Sequence, residues 1–165
     1  MAKKIFVTGS ESFVGRELIK QCANYDIAVL GVDVSGGNDG YEFRNADIRD
    51  PAISGIMPTD ADAVVHLAAL SRDADCRDNA YQCFDVNVMG TLNVMRAAKM
   101  SGIKQFIFAS SEWVYDSFEN GIEKDEDAAI DISRLTSEYA LSKLVSEANL
   151  GIHYARGVPA VTILR

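Results

Sequence analysis

Short runs of β-branched, aromatic and aliphatic residues alternate along this chain with longer segments whose apolar positions recur every three to four residues. Lys4–Thr8, Ile27–Val32, Ala63–Leu67, Gln105–Ala109 and Ala160–Leu164 are near-continuous apolar runs, the pattern of strands buried on both faces. Tyr41–Ala46 reads as one further strand. Phe13–Asn24 sets Val14, Leu18 and Cys22 four residues apart, and Tyr81–Met100 sets Phe84, Val88, Leu92 and Met95 on one stripe. Both segments are expected to be helices laid on a sheet. A third helix is expected from about Arg134 to Ala155, with Leu141, Leu144, Val145 and Ala148 on its apolar side. Parallel strands can be joined only by long crossovers, and the alternation of strand and helix supplies them. The pattern therefore predicts a doubly wound α/β fold with about six parallel strands, helices on both faces, and ligands at the carboxyl ends of the strands.

Length and composition narrow this picture. A chain of 165 residues suffices for one packed domain, and no repeat, low-complexity tract or linker divides it. Its net charge of −8 disfavours a nucleic-acid or acidic-membrane partner, because phosphates would be repelled. No apolar stretch has the length of a membrane span. Cys22, Cys76 and Cys83 are odd in number and lack both CxxC spacing and a matching histidine pair. That argues against a disulfide framework or a zinc site, so no metal is expected and a reducing, cytoplasmic setting is the simplest.

The candidate chemistry begins where the first apolar run ends, in Thr8-Gly9-Ser10-Glu11-Ser12-Phe13-Val14-Gly15. A dinucleotide-binding domain keeps its phosphate turn at this point. Gly9 would allow the tight turn, Gly15 would let the helix close on the strand, and the N–H groups of the first helical residues, Phe13 and Val14, would face a pyrophosphate. Alone, the segment reads equally as a strand-to-helix turn capped by Ser10 or Ser12. Asp33 tips the balance: it closes the second run, where an acidic side chain binds the adenosine ribose hydroxyls and repels a 2′-phosphate. NAD is therefore expected over its phosphorylated form. His66, lone and inside an apolar run, reads as a packed core histidine rather than a base. Tyr139 and Lys143 stand one helical turn apart and project from the same face. An ammonium beside a phenol favours the phenolate, which suits proton transfer; taken alone, the pair reads as an aromatic ring packed on a lysine stem.

Together these motifs resemble the extended short-chain dehydrogenase/reductase family, which includes the NDP-sugar epimerases and dehydratases. Thr8 to Gly15 is similar to that family's Thr-Gly-x-x-Gly-x-x-Gly signature, except that Ser12 stands where the middle glycine belongs and Glu11 adds a negative charge beside it. The resemblance implies that Asp47 and Ile48 contact adenine and that Leu67, Ala68 and Ala69 lie along the ribose and phosphates. Ser111-Glu112-Trp113-Val114-Tyr115 resembles the family's Ser-x-x-Val-Tyr segment, which makes Ser111, Tyr139 and Lys143 the implied catalytic triad. In that triad the serine holds the substrate oxygen, the tyrosine moves a proton, and the lysine holds the cofactor ribose during hydride exchange. Asn87, in Asn87-Val88-Met89-Gly90-Thr91, aligns with the family's Asn-x-x-Gly-Thr helix and is implied to contact the cofactor or steady the site.

The resemblance also implies a nucleotide-sugar substrate. The Asp-Glu pair of the 4,6-dehydratases is replaced here by Glu112 and Trp113, which points away from elimination and toward an epimerase or a simple dehydrogenase. Family members continue past the last strand into a smaller, sugar-gripping domain, so this chain is expected to hold the cofactor platform with that C-terminal domain absent. A non-catalytic NAD-binding or scaffolding protein lacking a substrate site is the alternative that Ser12, Glu11 and the absence of the sugar-gripping domain favour. By the same resemblance, a homodimer is expected through the two long helices. The acidic run from Glu119 to Asp131 is expected to be a solvated loop.

Overall fold

In the computed structural model, which describes residues 3–37, 40–115, 123–157 and 159–165, the apolar runs become six parallel strands. They are β1 (Lys3–Thr8), β2 (Ile27–Asp33), β3 (Glu42–Asn45), β4 (Ala63–His66), β5 (Gln105–Ala109) and β6 (Ala160–Leu164), each within two residues of its expected bounds. The sheet order is β3-β2-β1-β4-β5-β6. The order in which successive strands are laid across the sheet reverses between β1 and β4, and in such sheets this switch point opens a crevice at the carboxyl edge.

The strand register sorts side chains to the two faces. Phe6, Val64, Phe106 and Val161 are in register and join one large core, together with Leu30, Ile53, Val94, Met95 and Leu150. That face carries the helices α2 (Ile53–Ile56), α5 (Thr91–Met100) and α6 (Glu138–Ala155). The opposite face carries α1 (Phe13–Asn24), which packs Leu18, Ile19 and Cys22 on Val7 and Val29. Beyond α1 that face is thinly covered: Val65 and Ile107 are half-buried, and Thr162 and Leu164 are exposed.

Three helices differ from the periodicity in instructive ways. On α1 the expected stripe begins one residue late, because Val14 is exposed while Gly15 and Cys22 are buried. The expected helix Tyr81–Met100 is helical from end to end, but as three pieces: α4 (Ala80–Phe84), a π-helical turn (Asp85–Gly90) and α5. Just before α4 lies the short α3 (Asp73–Cys76). The third long helix starts at Glu138 rather than near Arg134, because the Ser137 hydroxyl accepts a hydrogen bond from the Ala140 N–H and caps it.

The buried face of α6 is the larger correction. Leu141, Leu144 and Val145 are only half-buried and Ala148 is exposed, while Tyr139, Ala140, Ser142, Lys143, Ser146, Glu147 and Leu150 face inward. Periodicity assigns the inside to apolar residues. Here the polar side chains go inside because each finds a partner there, and no buried side-chain nitrogen or oxygen among the described residues lacks one.

Among the described residues no helix is long and apolar enough to cross a membrane. The three cysteines are free and buried. Of the acidic run, residues 119–122 lie outside the described residues, and 123–127 are exposed.

Candidate cofactor and active site

A crevice of about 450 Å³ opens at the switch point. Most of its lining comes from the ends of four strands: Gly9, Glu11 and Ser12 after β1, Val32 to Ser35 at the end of β2, Ala46 to Arg49 after β3, and Leu67 to Ser71 after β4; Gln82 of α4 and Val86 of the π turn complete it. Eight residues expected to bind the cofactor are thereby brought together: Gly9, Ser12, Asp33, Asp47, Ile48, Leu67, Ala68 and Ala69.

Two glycines make the phosphate turn possible. Gly9 has φ of +69°, and a Cβ there would lie 2.6 Å from the Ala68 nitrogen. At Gly15 a Cβ would lie 2.4 Å from the Gly9 carbonyl oxygen and 2.7 Å from that of Ser10. Ser12 stands in extended backbone at φ −66°, so its conformation does not require a glycine, and its hydroxyl accepts the Gly15 N–H at 3.1 Å. The helix cap and the expected phosphate turn are thus one segment of chain. Phe13 and Val14, in the first turn, are exposed, and as N1 and N2 of the helix their N–H groups have no acceptor within it. Such donors, with the helix dipole behind them, suit an anion.

Glu11 does not leave a bare charge in the turn. Its side chain is 7% exposed, pairs with Arg16 at 3.1 Å, and accepts the Tyr41 hydroxyl. Burial first, then the bond to Glu11, pushes the Tyr41 phenol up to about 12. The neighbouring Asp33 carboxylate, part of the crevice lining, is held by the N–H groups of Glu11 at 3.0 Å and Ser35 at 3.3 Å. At the far end Asp47 is clasped by Arg49, whose nearest contact is 2.6 Å. Those hydrogen bonds hold the Asp47 carboxyl below the usual range. Ile48 beside it is buried.

The three expected catalytic side chains meet where α6 grips the end of β5. Lys143 Nζ donates to the Ala109 carbonyl at 2.7 Å, lies 4.8 Å from the Phe108 ring centre and 5.9 Å from that of Tyr139. Burial pulls its ammonium down to about 8. Tyr139 is 8% exposed, packs edge-on against Trp113 at 6.5 Å, and interacts with the Ser111 hydroxyl. Its phenol is raised, chiefly by burial, with the Ser111 hydrogen bond pulling the other way. Ser111 Oγ accepts the Trp113 N–H at 3.2 Å. The next turn of α6 adds a residue that sequence reasoning missed: Glu147 is buried, accepts the Ser110 hydroxyl, and pairs with Arg165 at 2.7 Å. The signal for it was a carboxylate four residues after Lys143.

Asn87 and His66 lie outside the crevice lining. Asn87 is 1% exposed in the middle of the π turn; its Oδ1 accepts the Leu70 N–H at 2.8 Å, and its Nδ2 donates to the Leu70 carbonyl at 3.1 Å and to Ser142 Oγ at 2.9 Å. Of the two implied roles, this geometry suits steadying the site. A π turn inserted in a helix often marks a functional position. His66 is a packed core residue, 1% exposed, and burial holds its imidazole down to about 3, with Lys143 adding to the effect.

Residues 5–165 match the NAD dependent epimerase/dehydratase family. A UDP-N-acetyl-alpha-D-glucosaminuronate decarboxylase of Bacillus cytotoxicus is 29% identical over all of this chain and 54% of its own length. A short-chain dehydrogenase/reductase superfamily protein from Agrobacterium tumefaciens, solved with bound NAD, superposes with a TM-score of 0.86 at 29% identity, covering 98% of this chain and 48% of that one. A UDP-glucose 4-epimerase from Stenotrophomonas maltophila, with bound NAD and formylated UDP-arabinopyranose, gives a TM-score of 0.86 at 26% identity over 99% of this chain and 52% of that one. The chain spans about half the length of these relatives.

Proposed function

Because the chain belongs to the NAD dependent epimerase/dehydratase family, we propose that it is the cofactor-binding and proton-transferring portion of a nucleotide-sugar epimerase or dehydrogenase. The observation that carries this reading is the grip of α6 on the end of β5, beside a crevice shaped for a dinucleotide. Tyr139, Lys143 and Glu147, on successive turns, meet Ser111, the Ala109 carbonyl and Ser110.

NAD, when bound, supplies the hydride acceptor and a positive ring. The chain's residues divide the work of holding it. Asp33 accepts the adenosine ribose hydroxyls and would repel a 2′-phosphate. The N–H groups of Phe13 and Val14 meet the pyrophosphate, and Gly9 and Gly15 leave the backbone free to approach it. Leu67, Ala68 and Ala69 flank the ribose and phosphates, and Asp47 and Ile48 border the adenine. Asn87 keeps the Leu70 backbone in position beneath them.

The catalytic residues handle the sugar. Ser111 hydrogen-bonds the reacting oxygen, and Tyr139 takes the hydroxyl proton and returns it. Lys143 holds the ribose and lowers the cost of a phenolate on a tyrosine that burial otherwise keeps protonated. Glu112 and Trp113 supply no Asp-Glu pair, which favours oxidation or epimerisation over elimination. Exposed Met89, Ile152 and Tyr154, with the half-buried apolar residues of α6, suit a homodimer through the two long helices.

The scaffold alternative drew on Ser12 and Glu11, and both lose force: Ser12 needs no left-handed backbone, and Glu11 is neutralised by Arg16. Calorimetric titration with NAD, combined with a hydride-transfer assay over UDP- and dTDP-sugars, tests the proposal. NAD binding is expected, with turnover abolished by Tyr139→Phe. A chain that binds no NAD would overturn the reading, and binding with no turnover on any sugar would return it to the scaffold.

A further inference from the structure

The buried histidine, His66, has no role in that reading. His66 sits in the core at the end of β4, stacked on the Phe108 ring and tilted against that of Phe106, each with its centre 5.8 Å away. An apolar side chain would fill this place without the desolvation cost of an imidazole. The bonds it makes run in one direction. Thr91 donates its hydroxyl proton to the Asn87 carbonyl at 2.6 Å, so toward His66 it can only accept. His66 Nε2, 2.8 Å from Thr91 Oγ1, must therefore carry the proton. That leaves Nδ1 as an acceptor for the Thr8 hydroxyl at 2.6 Å. Thr8 Oγ1 in turn accepts the Ala68 N–H at 3.3 Å.

The two ends of this chain of bonds land on one short segment. One end is the Ala68 N–H. The other passes through Asn87, whose side chain takes both the N–H and the carbonyl of Leu70 and also reaches Ser142, between Tyr139 and Lys143. Every intermediate side chain is essentially inaccessible: Thr8 0%, His66 1%, Thr91 1%, Asn87 1% and Ser142 0% exposed. Ser146 adds a second bond to the Asn87 carbonyl from α6 at 3.0 Å. A hydrogen-bond chain closed to water has no solvent to replace a lost member.

We propose that His66 is a positioning residue: through Thr8 on one side and Thr91 and Asn87 on the other, it suspends Ala68–Leu70, the floor of the cofactor crevice, at both ends. It thereby joins the strand that feeds the phosphate turn to the helix that carries Tyr139 and Lys143. The importance of this floor rests on the reading of the crevice as the NAD seat; the suspension itself does not. A neutral imidazole is the side chain that accepts at one edge and donates at the other while spanning two threonines, so neither a carboxamide nor an apolar residue reproduces it.

The test is backbone amide exchange, followed residue by residue, with NAD titration alongside, on the wild-type chain and on His66→Asn, His66→Leu and Thr91→Val. Leucine removes both bonds, and exchange at Ala68 and Leu70 should quicken about tenfold or more while Val29 and Leu30 in β2 keep their protection. NAD affinity should fall by about the same factor. Asparagine, whose amide group can occupy the Nδ1 place, should restore protection at Ala68. Thr91→Val leaves His66 intact and interrupts the chain further along, so it should loosen Leu70 more than Ala68; it also keeps the proposal testable if a His66 variant fails to fold. Uniform acceleration across the sheet, or unchanged exchange at Ala68 and Leu70, would overturn the positioning role. Wild-type chain with the expected exchange pattern but no NAD binding would instead refute the cofactor reading and leave the suspension standing.

Discussion

Adding one methyl group at Gly15 tests the geometry of the phosphate turn directly. The new Cβ would stand 2.4 Å from the Gly9 carbonyl oxygen, where ordinary contact begins at 3.4 Å, and the obstructing atoms are backbone. Helix α1 must therefore back away from the turn by about 1 Å. Overpacking of this kind costs about 1–3 kcal/mol, against a gain of up to about 1 kcal/mol because alanine loses less entropy in a helix than glycine. The net expectation is a loss of about 1–2 kcal/mol, or a fall in Tm of about 2–8 °C for a chain of this size. Gly151 provides the control: it lies in α6 with nothing within 4 Å of an added Cβ, so Gly151→Ala should raise Tm by about 1–4 °C. Scanning calorimetry reads both shifts. NAD titration reads the second consequence, because the displaced N–H groups of Phe13 and Val14 no longer converge on the pyrophosphate. Gly15→Ala should weaken NAD by about tenfold or more, since a 1 Å misplacement is costly in a preorganised site, and Gly151→Ala should not. A Gly15→Ala chain as stable as wild type, or one that is less stable yet binds NAD equally well, would refute the reasoning.

Other consequences can be checked in the same preparations. Asp33→Ala should weaken NAD and narrow the preference for it over the 2′-phosphorylated cofactor, measured by parallel titrations. Glu147→Ala strips a partner from Arg165 and from the Ser110 hydroxyl; only the carboxylate side of this pair is buried, and Arg165 keeps Tyr115 and the Glu126 carbonyl, so the loss in urea unfolding should be about 1–3 kcal/mol, with Glu147→Gln intermediate because it can still accept from Ser110. Lys143 is held near 8, against an ordinary value of 10.5, by burial. Between those values the unfolded chain binds more protons than the folded one, so the folded state gains stability as pH rises from 8 toward 10.5. Lys143→Met should accordingly be more stable than wild type at pH 7 by about 1–2 kcal/mol, less than the full shift because the bond to Ala109 is lost, and the gap should close across that window. A pH-independent difference in unfolding midpoints would contradict it.

The sequence by itself determined the strands, their order of chemistry and the crevice. Continuous apolar runs followed by crossover-length segments admit few arrangements other than a parallel sheet, and Gly9, Asp33, Asp47 and Ala68 follow strand ends that such a sheet must bring to one edge. Local signals also located Tyr139 and Lys143 one turn apart. Tertiary structure alone decided which way α6 faces. Its polar residues are buried because Ala109, Ser110, Ser111, Asn87 and Arg165 supply partners, and periodicity, which ranks residues by hydrophobicity, has no knowledge of partners distant in sequence. The same holds for Asn87, His66 and Glu147, whose roles consist of contacts across 17 to 58 residues of chain. A hydrogen bond's worth in the interior depends on whether its counterpart is present, and that is a property of the assembled fold.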